Sequence, residues 1–157
     1  MLDLRDYPMP FYDEVLIPTR LNSKYSNETV LKWVKKIGEA DGYIIATPEY
    51  NHGYPAILKN AIDYPFAEWN KKPVAFISWG GVGGARAVEQ LRQVVIELQM
   101  APIKNSINII APWNLLDENG NLREPLKEGA DNLFDQLIWW VRALKNAREA
   151  DNAKFIQ

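Results

Sequence analysis

The chain has 157 residues and a formal net charge of −2, with 18 Lys and Arg against 20 Asp and Glu. Its 47% hydrophobic and 24% charged residues are typical of a globular domain, which excludes disordered, collagen-like and low-complexity chains. The even charge balance argues against nucleic acid as a partner, because phosphate binding needs a concentrated basic surface. The absence of cysteine excludes disulfide scaffolds, thiolate metal sites and cysteine nucleophiles, and it suits a reducing cytoplasm.

Metal and membrane roles are also disfavoured by the sequence. His52 is the single histidine, which argues against a histidine-rich metal site. No apolar run approaches the roughly 20 residues that cross a bilayer, and the charged residues near the N-terminus do not resemble a signal peptide. We therefore expect one domain over residues 1–157, located in the cytoplasm, without metal, membrane or nucleic-acid partners.

Short apolar runs alternate with helical periods along the chain. Up to residue 63, the predicted elements are a short strand at 1–5, a loop at 11–25, a helix at about 27–39 capped by Ser26 or Asn27, a strand at 43–47 that is apolar on both faces, and a helix at about 55–63 that buries Ile57, Leu58, Ala61 and Ile62. Beyond it, they are a strand at 73–78, a glycine-rich turn at 80–84, a helix at about 85–100, a strand at 105–111, a polar loop at 112–124 and a helix at about 127–148.

This order of elements predicts an α/β fold. Strand, loop and helix recur three times, which is typical of a parallel sheet with helices on both faces and right-handed crossovers. Ligands of such sheets bind in the crevice beyond the carboxyl ends of the strands. The two unusual loops, 48–54 and 80–84, each follow a predicted strand, so both point to that edge of the sheet.

The first unusual loop joins a buried strand to a helix N-terminus. It directs backbone N–H groups and the positive end of a helix dipole into the crevice. Tyr50 and Tyr54 add aromatic walls and Asn51 adds an amide, a combination that suits a flat heteroaromatic ring. The alternative is a capped turn in which proline restricts φ and asparagine makes local hydrogen bonds. His52 has two possible roles. It either donates a proton or contacts the bound ring, or it is a surface residue that makes a structural hydrogen bond.

The second unusual loop holds four glycines between residues 80 and 84. Repeated glycine lets the backbone approach a ligand or adopt positive φ, so the loop is either a cradle for a ring or phosphate, or a tight turn. It is not a P-loop, because Ala85 and Arg86 follow Gly84 where Lys and Ser or Thr are required, and it fits the dinucleotide fingerprint poorly. Arg86 either steers an anionic cofactor or is a solvated residue of the first helical turn.

Ser78 raises a minor alternative, a hydrolase nucleophile. A nucleophile elbow needs glycine two residues before and two residues after the serine. Gly80 fits the second position, whereas Phe76 occupies the first, and only His52 is available as a base. Labelling by a serine-reactive probe is the test that separates this alternative from the others.

At residues 47–63 and 78–86 the sequence resembles the NAD(P)H-dependent FMN reductase family, and the Asn51 to Pro55 stretch is particularly similar to its quinone-reducing members. The resemblance implies a flavodoxin-like fold, bound FMN, NAD(P)H as hydride donor, a quinone or flavin acceptor, and a homodimer or homotetramer. It also implies backbone contacts to the flavin ring. The residues that it places at the ring are Pro48, Glu49, Tyr50 and Asn51, with His52 and Gly53 nearby and Ser78, Gly80, Gly81 and Gly84 along the pyrimidine side.

The chain departs from that family at its start. Family members begin with a central strand and a phosphate loop of the form Gly-Ser-x-Arg-x-x-Ser, whereas residues 20–26 are only faintly similar to it and residues 1–5 resemble the family's second strand. Three explanations are open: a shortened or misassigned start, a partner chain that fills the gap, or direct pairing of residues 1–5 with 43–47. The alternative function is a flavodoxin-like module without FMN that acts in assembly or regulation.

Overall fold

The centre of the molecule is a parallel sheet of three strands in the order β1 (Tyr43–Pro48), β2 (Pro73–Gly80) and β3 (Ala101–Ile110). The computed structural model describes residues 1–21, 24–121, 123 and 129–154. The central strand β2 is a nearly continuous apolar run and is buried along most of its length, as a strand covered on both faces should be. The third strand begins four residues earlier than predicted: Pro102 and Lys104 interrupt its apolar pattern, and its pairing with β2 resumes at Ser106 after an irregularity in register.

One face of the sheet is covered by α2 (Glu28–Gly38), α3 (Ala56–Asp63) and α4 (Ala85–Glu97). The predicted cap of α2 is confirmed, since the Asn27 side chain accepts hydrogen bonds from the Thr29 and Val30 N–H groups. Apolar side chains at helical spacing from these helices meet the inward side chains of β1 and β2. The main members of this core are Val30, Trp33, Val34, Ile37, Ile62, Val74, Phe76, Leu91 and Val95.

The opposite face carries α5 (Ala130–Lys154), which packs mainly on β2 and β3. Leu133 and Leu137 lie one turn apart and are buried against Ala75 and Ile103. The later turns of α5 reach the start of β1, where Lys145 Nζ and Arg148 Nη2 each lie 2.6 Å from an Asp41 carboxylate oxygen. The helix therefore runs antiparallel to the strands. The first residues of the predicted helix, 127 and 128, lie outside the described part of the chain.

Residues 1–5 do not form the predicted strand, and that prediction is wrong. Leu4–Asp6 is a 3-10 helix, because the Asp3 carboxylate accepts the Arg5 N–H at 2.9 Å and bends the chain into a turn. Direct pairing of residues 1–5 with β1 is therefore excluded as an explanation of the departure at the chain start. Within the described residues, β1 is an edge strand of the sheet.

Two further burial predictions are wrong at that edge of the molecule. Tyr43 and Ile45 of β1 pack into the core, but Ile44 and Ala46 on the other face are exposed because α5 lies over the neighbouring strands. On α3, Ile57 is exposed while Ala61 and Ile62 are buried as expected. Both errors concern which neighbour covers a face, and the apolar pattern of a single segment does not contain that information.

Smaller elements complete the described chain. A short helix α1 (Pro18–Leu21) lies in the predicted loop at 11–25, and a 3-10 helix, Pro112–Leu115, follows β3. None of the helices in the described ranges combines the length and the apolar character needed to cross a bilayer.

Candidate functional site

The two predicted loops meet at the carboxyl end of β1 and β2. The Glu49 N–H donates to the Trp79 carbonyl at 2.9 Å, which continues the pairing of the two strands into the loops. Beside this junction lies an open cleft of about 610 Å³, within the size range of small-molecule sites. Its lining residues are Pro48, Glu49, Tyr50, Trp79, Gly80, Ile109, Pro112, Trp113 and Leu116.

Residues 50–53 form a tight turn rather than a flexible loop. The Tyr50 N–H donates to the Gly53 carbonyl at 2.8 Å, and the Gly53 N–H donates back to the Tyr50 carbonyl at 3.0 Å. Both central residues adopt positive φ, 50° at Asn51 and 71° at His52, which is the φ pattern of a type I′ turn. Two consecutive non-glycine residues in this region are strained, and such strain persists only when surrounding contacts hold it.

The glycines of the second loop serve different purposes. Gly83 and Gly84 have φ values of 71° and 73°, and a Cβ on Gly84 would lie 2.6 Å from the Cβ of Ser78. These two positions therefore need glycine for the fold of the loop itself. Gly81 differs, because a Cβ there would meet no protein atom within 4 Å and its φ lies outside the region that favours glycine. Nothing in the described structure requires glycine at that position, so it is the one suited to close approach by a ligand.

Ser78 is a structural residue of the glycine loop. Its side chain is buried, donates to the Gly83 carbonyl at 2.7 Å and accepts a hydrogen bond from Asn108 Nδ2 at 2.8 Å. A hydroxyl held in this way is not free to attack a substrate, which argues against the hydrolase alternative. Asn108 is absent from the predicted site residues. The available signal was a polar residue within an apolar strand, in register with Ser78 across the sheet.

The carboxylate of Glu49 reaches the start of α4. Its side chain is 5% exposed and pairs with the Arg86 guanidinium, while its second oxygen accepts the Arg86 N–H at 3.1 Å. Burial raises the pKa of this carboxyl, but the hydrogen bonds and charge of Arg86 and the N–H of Ala87 outweigh burial, so its pKa lies below the ordinary value. Glu49 is therefore ionised at neutral pH.

His52 is held by the same helix. Its Nε2 lies 2.7 Å from Arg86 Nη1, and its carbonyl accepts a hydrogen bond from Gln90 Nε2 at 2.9 Å. Since a guanidinium can only donate, Nε2 is the acceptor and the ring proton is on Nδ1 in this arrangement. The structural alternative for His52 is thus supported by these contacts, and neither Arg86 nor Gln90 is among the predicted site residues.

The far wall of the cleft is formed by a segment for which the sequence analysis predicted no role in the site. Pro112 and Trp113 belong to the 3-10 helix after β3, and the Trp113 side chain is exposed beside the cleft. The predicted polar loop at 112–124 therefore contributes apolar surface to the site. Only the parallel pairing of β2 with β3 brings this wall next to the two predicted loops.

The residues present fit the flat ring system of a flavin. The cleft is flanked by aromatic side chains, the backbone of residues 48–50 and Gly80 is at its margin, and the space beside Gly81 is open. Glu49 and Arg86 neutralise each other, so the junction favours an uncharged ring edge over an anion. The faint phosphate-loop similarity at residues 20–26 falls partly outside the described residues, which omit 22 and 23.

Comparisons with known proteins identify the family of the chain. The model of the NADPH-dependent FMN reductase family matches residues 1–114. The chain belongs to this family. An NAD(P)H-dependent FMN reductase of Schizosaccharomyces pombe is 40% identical over 110 residues, which cover 69% of this chain and 55% of the relative. A 2-hydroxy-1,4-benzoquinone reductase of a Burkholderia species is 34% identical over 124 residues, which cover 73% of this chain and 68% of the relative.

Solved structures bear on the fold. The flavoenzyme NAD(P)H:(acceptor) oxidoreductase FerB of Paracoccus denitrificans superposes with a TM-score of 0.65 at 24% identity, covering 91% of this chain and 79% of that one. The predicted flavodoxin-like α/β class is confirmed. The chain spans about half the length of the first curated relatives that it matches.

Proposed function

We propose that this chain provides the ring-binding site of an FMN-dependent oxidoreductase that takes hydride from NAD(P)H and passes it to a small-molecule acceptor, a quinone or a free flavin. Its family membership and its quinone-reducing relative support the proposal. The single observation that carries it is the junction of the two predicted loops beside an open cleft, with the space next to Gly81 free of protein atoms.

Each part of the site has a role in holding the ring. The backbone of Pro48, Glu49, Tyr50 and Asn51 lies along one edge, with His52 and Gly53 behind it, and Gly80 and Gly81 line the other side. Ser78 and Gly84 keep the second loop in shape. These residues would hold the ring of FMN, which would supply the hydride-transfer chemistry between NAD(P)H and the acceptor. The protein's own contribution is position and oriented dipoles, since Glu49 and Arg86 are paired with each other and not with a substrate.

Ring binding is the first step to test. Purified chain is titrated with riboflavin and with FMN, and the flavin fluorescence and visible absorbance are followed. We expect saturable quenching by both flavins. Protein that stays colourless and quenches neither flavin contradicts the proposal and favours a flavodoxin-like module that acts in assembly or regulation without FMN.

The second step is turnover. Flavin-loaded protein is mixed with NADH or NADPH under anaerobic conditions, and bleaching of the flavin is recorded before a 1,4-benzoquinone is added. We expect bleaching by at least one nicotinamide and reoxidation by the quinone. Bound flavin that neither nicotinamide bleaches rules out the hydride-transfer role while leaving ring binding intact.

The assembly and the compartment belong to the same proposal. A homodimer or homotetramer is supported by large apolar side chains exposed on two helices, Ile57 on α3 and Ile96 on α4. A cytoplasmic location is supported by the lack of cysteine and by the cellular supply of NAD(P)H that the activity needs. Light scattering after gel filtration measures the first, and a monomer at all concentrations contradicts it.

A further inference from the structure

We propose that the side chains of Glu49 and Arg86 have a positioning role: they lock the two ring-binding loops into one rigid unit and do not themselves contact the ring. The inference rests on the proposed function, since it concerns how the same site is kept ready for its ligand. It goes beyond the family resemblance, which implies backbone contacts from residue 49 to the ring and assigns no role to the side chain of Glu49. The geometry points to a chain of contacts from the first loop to α4 and back.

The first link runs from the first loop to α4. The Glu49 carboxylate reaches the opening turn of the helix, where Gly84 provides no side-chain cap. One of its oxygens accepts from Arg86 Nε at 2.6 Å and the other accepts from the Arg86 N–H at 3.1 Å. A carboxylate at this place satisfies an N–H group that has no partner within the helix and is favoured by the helix dipole. Glu49 thus serves as the cap of α4 from 37 residues away.

The second link returns from α4 to the first loop. Arg86 and Gln90 are four residues apart and therefore lie on one face of the helix. Arg86 Nη1 meets the His52 ring at 2.7 Å and Gln90 Nε2 donates to the His52 carbonyl at 2.9 Å. Gly53 completes the fit, because a Cβ there would lie only 3.2 Å from Gln90 Oε1. The turn at residues 50–53 is thereby held against α4 through both the ring and the carbonyl of His52.

These links explain why the strained turn persists. Positive φ at both Asn51 and His52 is unfavourable for L residues, and the turn itself supplies only its two backbone hydrogen bonds. The contacts from α4 hold His52 from outside the turn. A site whose backbone groups are fixed in this way needs no rearrangement when a flat ring arrives, and that reduces the entropic cost of binding.

The same contacts decide between two roles of the glycine loop. A phosphate cradle at the start of α4 needs free N–H groups and an unpaired cation. The Arg86 N–H is occupied by Glu49, and the Arg86 guanidinium is paired with the Glu49 carboxylate and with His52. We therefore infer that the loop is a cradle for a ring rather than for a phosphate, and that Arg86 does not steer an anionic cofactor.

The test compares Glu49→Gln, Arg86→Gln and the double variant with the parent chain. Riboflavin serves as the probe because it has the ring and no phosphate. We expect each single variant to bind riboflavin about tenfold more weakly, the scale of one lost charge-assisted hydrogen bond. The double variant should bind no more weakly than Arg86→Gln alone, because Arg86→Gln already removes the link to Glu49 as well as the contact with His52. Additive losses overturn the proposal, since they mean that each residue contacts the ring independently.

Hydrogen exchange gives a readout that does not depend on flavin. Amide exchange in residues 50–53 should become faster in both single variants, while exchange in α2 stays unchanged. Glu39→Gln is the matched control, because Glu39 forms an exposed ion pair with Lys36 outside the site. Unchanged exchange in residues 50–53 overturns the proposal. If the parent chain binds no riboflavin but exchange responds as expected, the proposed function fails and the positioning role stands.

Acid titration supplies a further check with a definite sign. The pKa of Glu49 is held below its ordinary 4.5 by Arg86, so the link is complete above that pH and is lost as the pH falls through the folded-state pKa. The protection factor of the amides in residues 50–53, which corrects for the intrinsic pH dependence of exchange, should therefore fall at acid pH in the parent chain. In Glu49→Gln this fall should be absent, and an identical acid response in both proteins contradicts the role of Glu49.

Discussion

Single residues decide which of the site's glycines serve the fold and which serve a ligand. A Cβ at Gly84 would collide with Ser78, and a Cβ at Gly83 would lie 3.0 Å from Asn108 Cβ. Glycine is therefore required at both positions by the packing of the protein itself. Gly81 has neither positive φ nor a close neighbour. A substitution at Gly81 therefore acts on binding, whereas a substitution at Gly84 acts on folding.

Gly81→Val is expected to abolish riboflavin binding while leaving the free energy of unfolding nearly unchanged, because its side chain occupies space that no protein atom uses. The matched variant is Gly84→Ala, which should destabilise the fold by about 1–3 kcal/mol through strained φ and the clash with Ser78. Riboflavin titration and urea unfolding of both proteins measure the contrast. Normal riboflavin affinity in Gly81→Val places the ring elsewhere.

Asn108→Ala is expected to destabilise the chain by about 1–2 kcal/mol, because Ser78 Oγ and the Gly83 carbonyl lose a hydrogen-bond donor in a partly buried place. Ser106→Ala is the control, since the half-buried Ser106 hydroxyl donates to Asn108 Oδ1 and not to Ser78 or Gly83. Urea unfolding measures both. Equal, negligible effects mean that the amide of Asn108 does not hold the glycine loop.

At the scale of elements, the orientation of α5 determines which strands are covered. The helix packs on β2 and β3, and its later turns are tied to the chain just before β1 by the ion pairs of Asp41 with Lys145 and Arg148. The pKa of Asp41 lies below its ordinary value, mainly because its carboxylate accepts a hydrogen bond from Lys145, which outweighs the increase that burial causes. The ion pairs join residues that are more than a hundred positions apart.

Asp41→Asn is expected to lower the free energy of unfolding at neutral pH by less than about 1 kcal/mol, the scale of partly exposed ion pairs. Because the pKa of Asp41 is lowered in the folded state, this contribution is complete above its ordinary value of 3.8 and disappears as the pH falls below it. Urea unfolding at pH 7 and at acid pH checks the sign. A larger difference between the two proteins at acid pH contradicts the assignment.

At the scale of the whole molecule, an apolar surface lies open beside β1. Phe134 and Ile138 are 46% and 44% exposed and share a stripe of α5 with Val141, which approaches Gly42 just before the strand. Ile44 is exposed on the adjacent face of β1. A net charge of −2 provides little repulsion between copies, so we propose this surface as a second candidate for self-association besides the helices that carry Ile57 and Ile96.

The double substitution Phe134→Gln with Ile138→Gln is expected to reduce self-association and the binding of an apolar dye, with little change in stability because both side chains are exposed. Leu137→Ala on the same helix is the contrasting variant, since Leu137 is buried and its truncation should cost about 2–5 kcal/mol. Light scattering and urea unfolding measure the outcome. Unchanged association in the double variant locates the interface on another surface.

Local sequence pattern was sufficient to predict the succession of strands and helices from about residue 27 onward, the α/β class, the cap at Asn27 and the two loops of the site. Those features follow from local periodicity, from proline and glycine, and from capping side chains, which all act within a few residues. The buried run of β2 is the clearest case, because its apolar residues define a central strand without reference to any neighbour.

Which distant groups meet depends on how the elements pack in three dimensions. The pairs Glu49 with Arg86 and Ser78 with Asn108 join residues 37 and 30 positions apart, and no local pattern encodes such partners. The exposure of Ile44 and Ile57 depends on packing in the same way. Whether an extended segment pairs, or an apolar face is covered, depends on the elements packed beside it, and that is a property of the assembled fold.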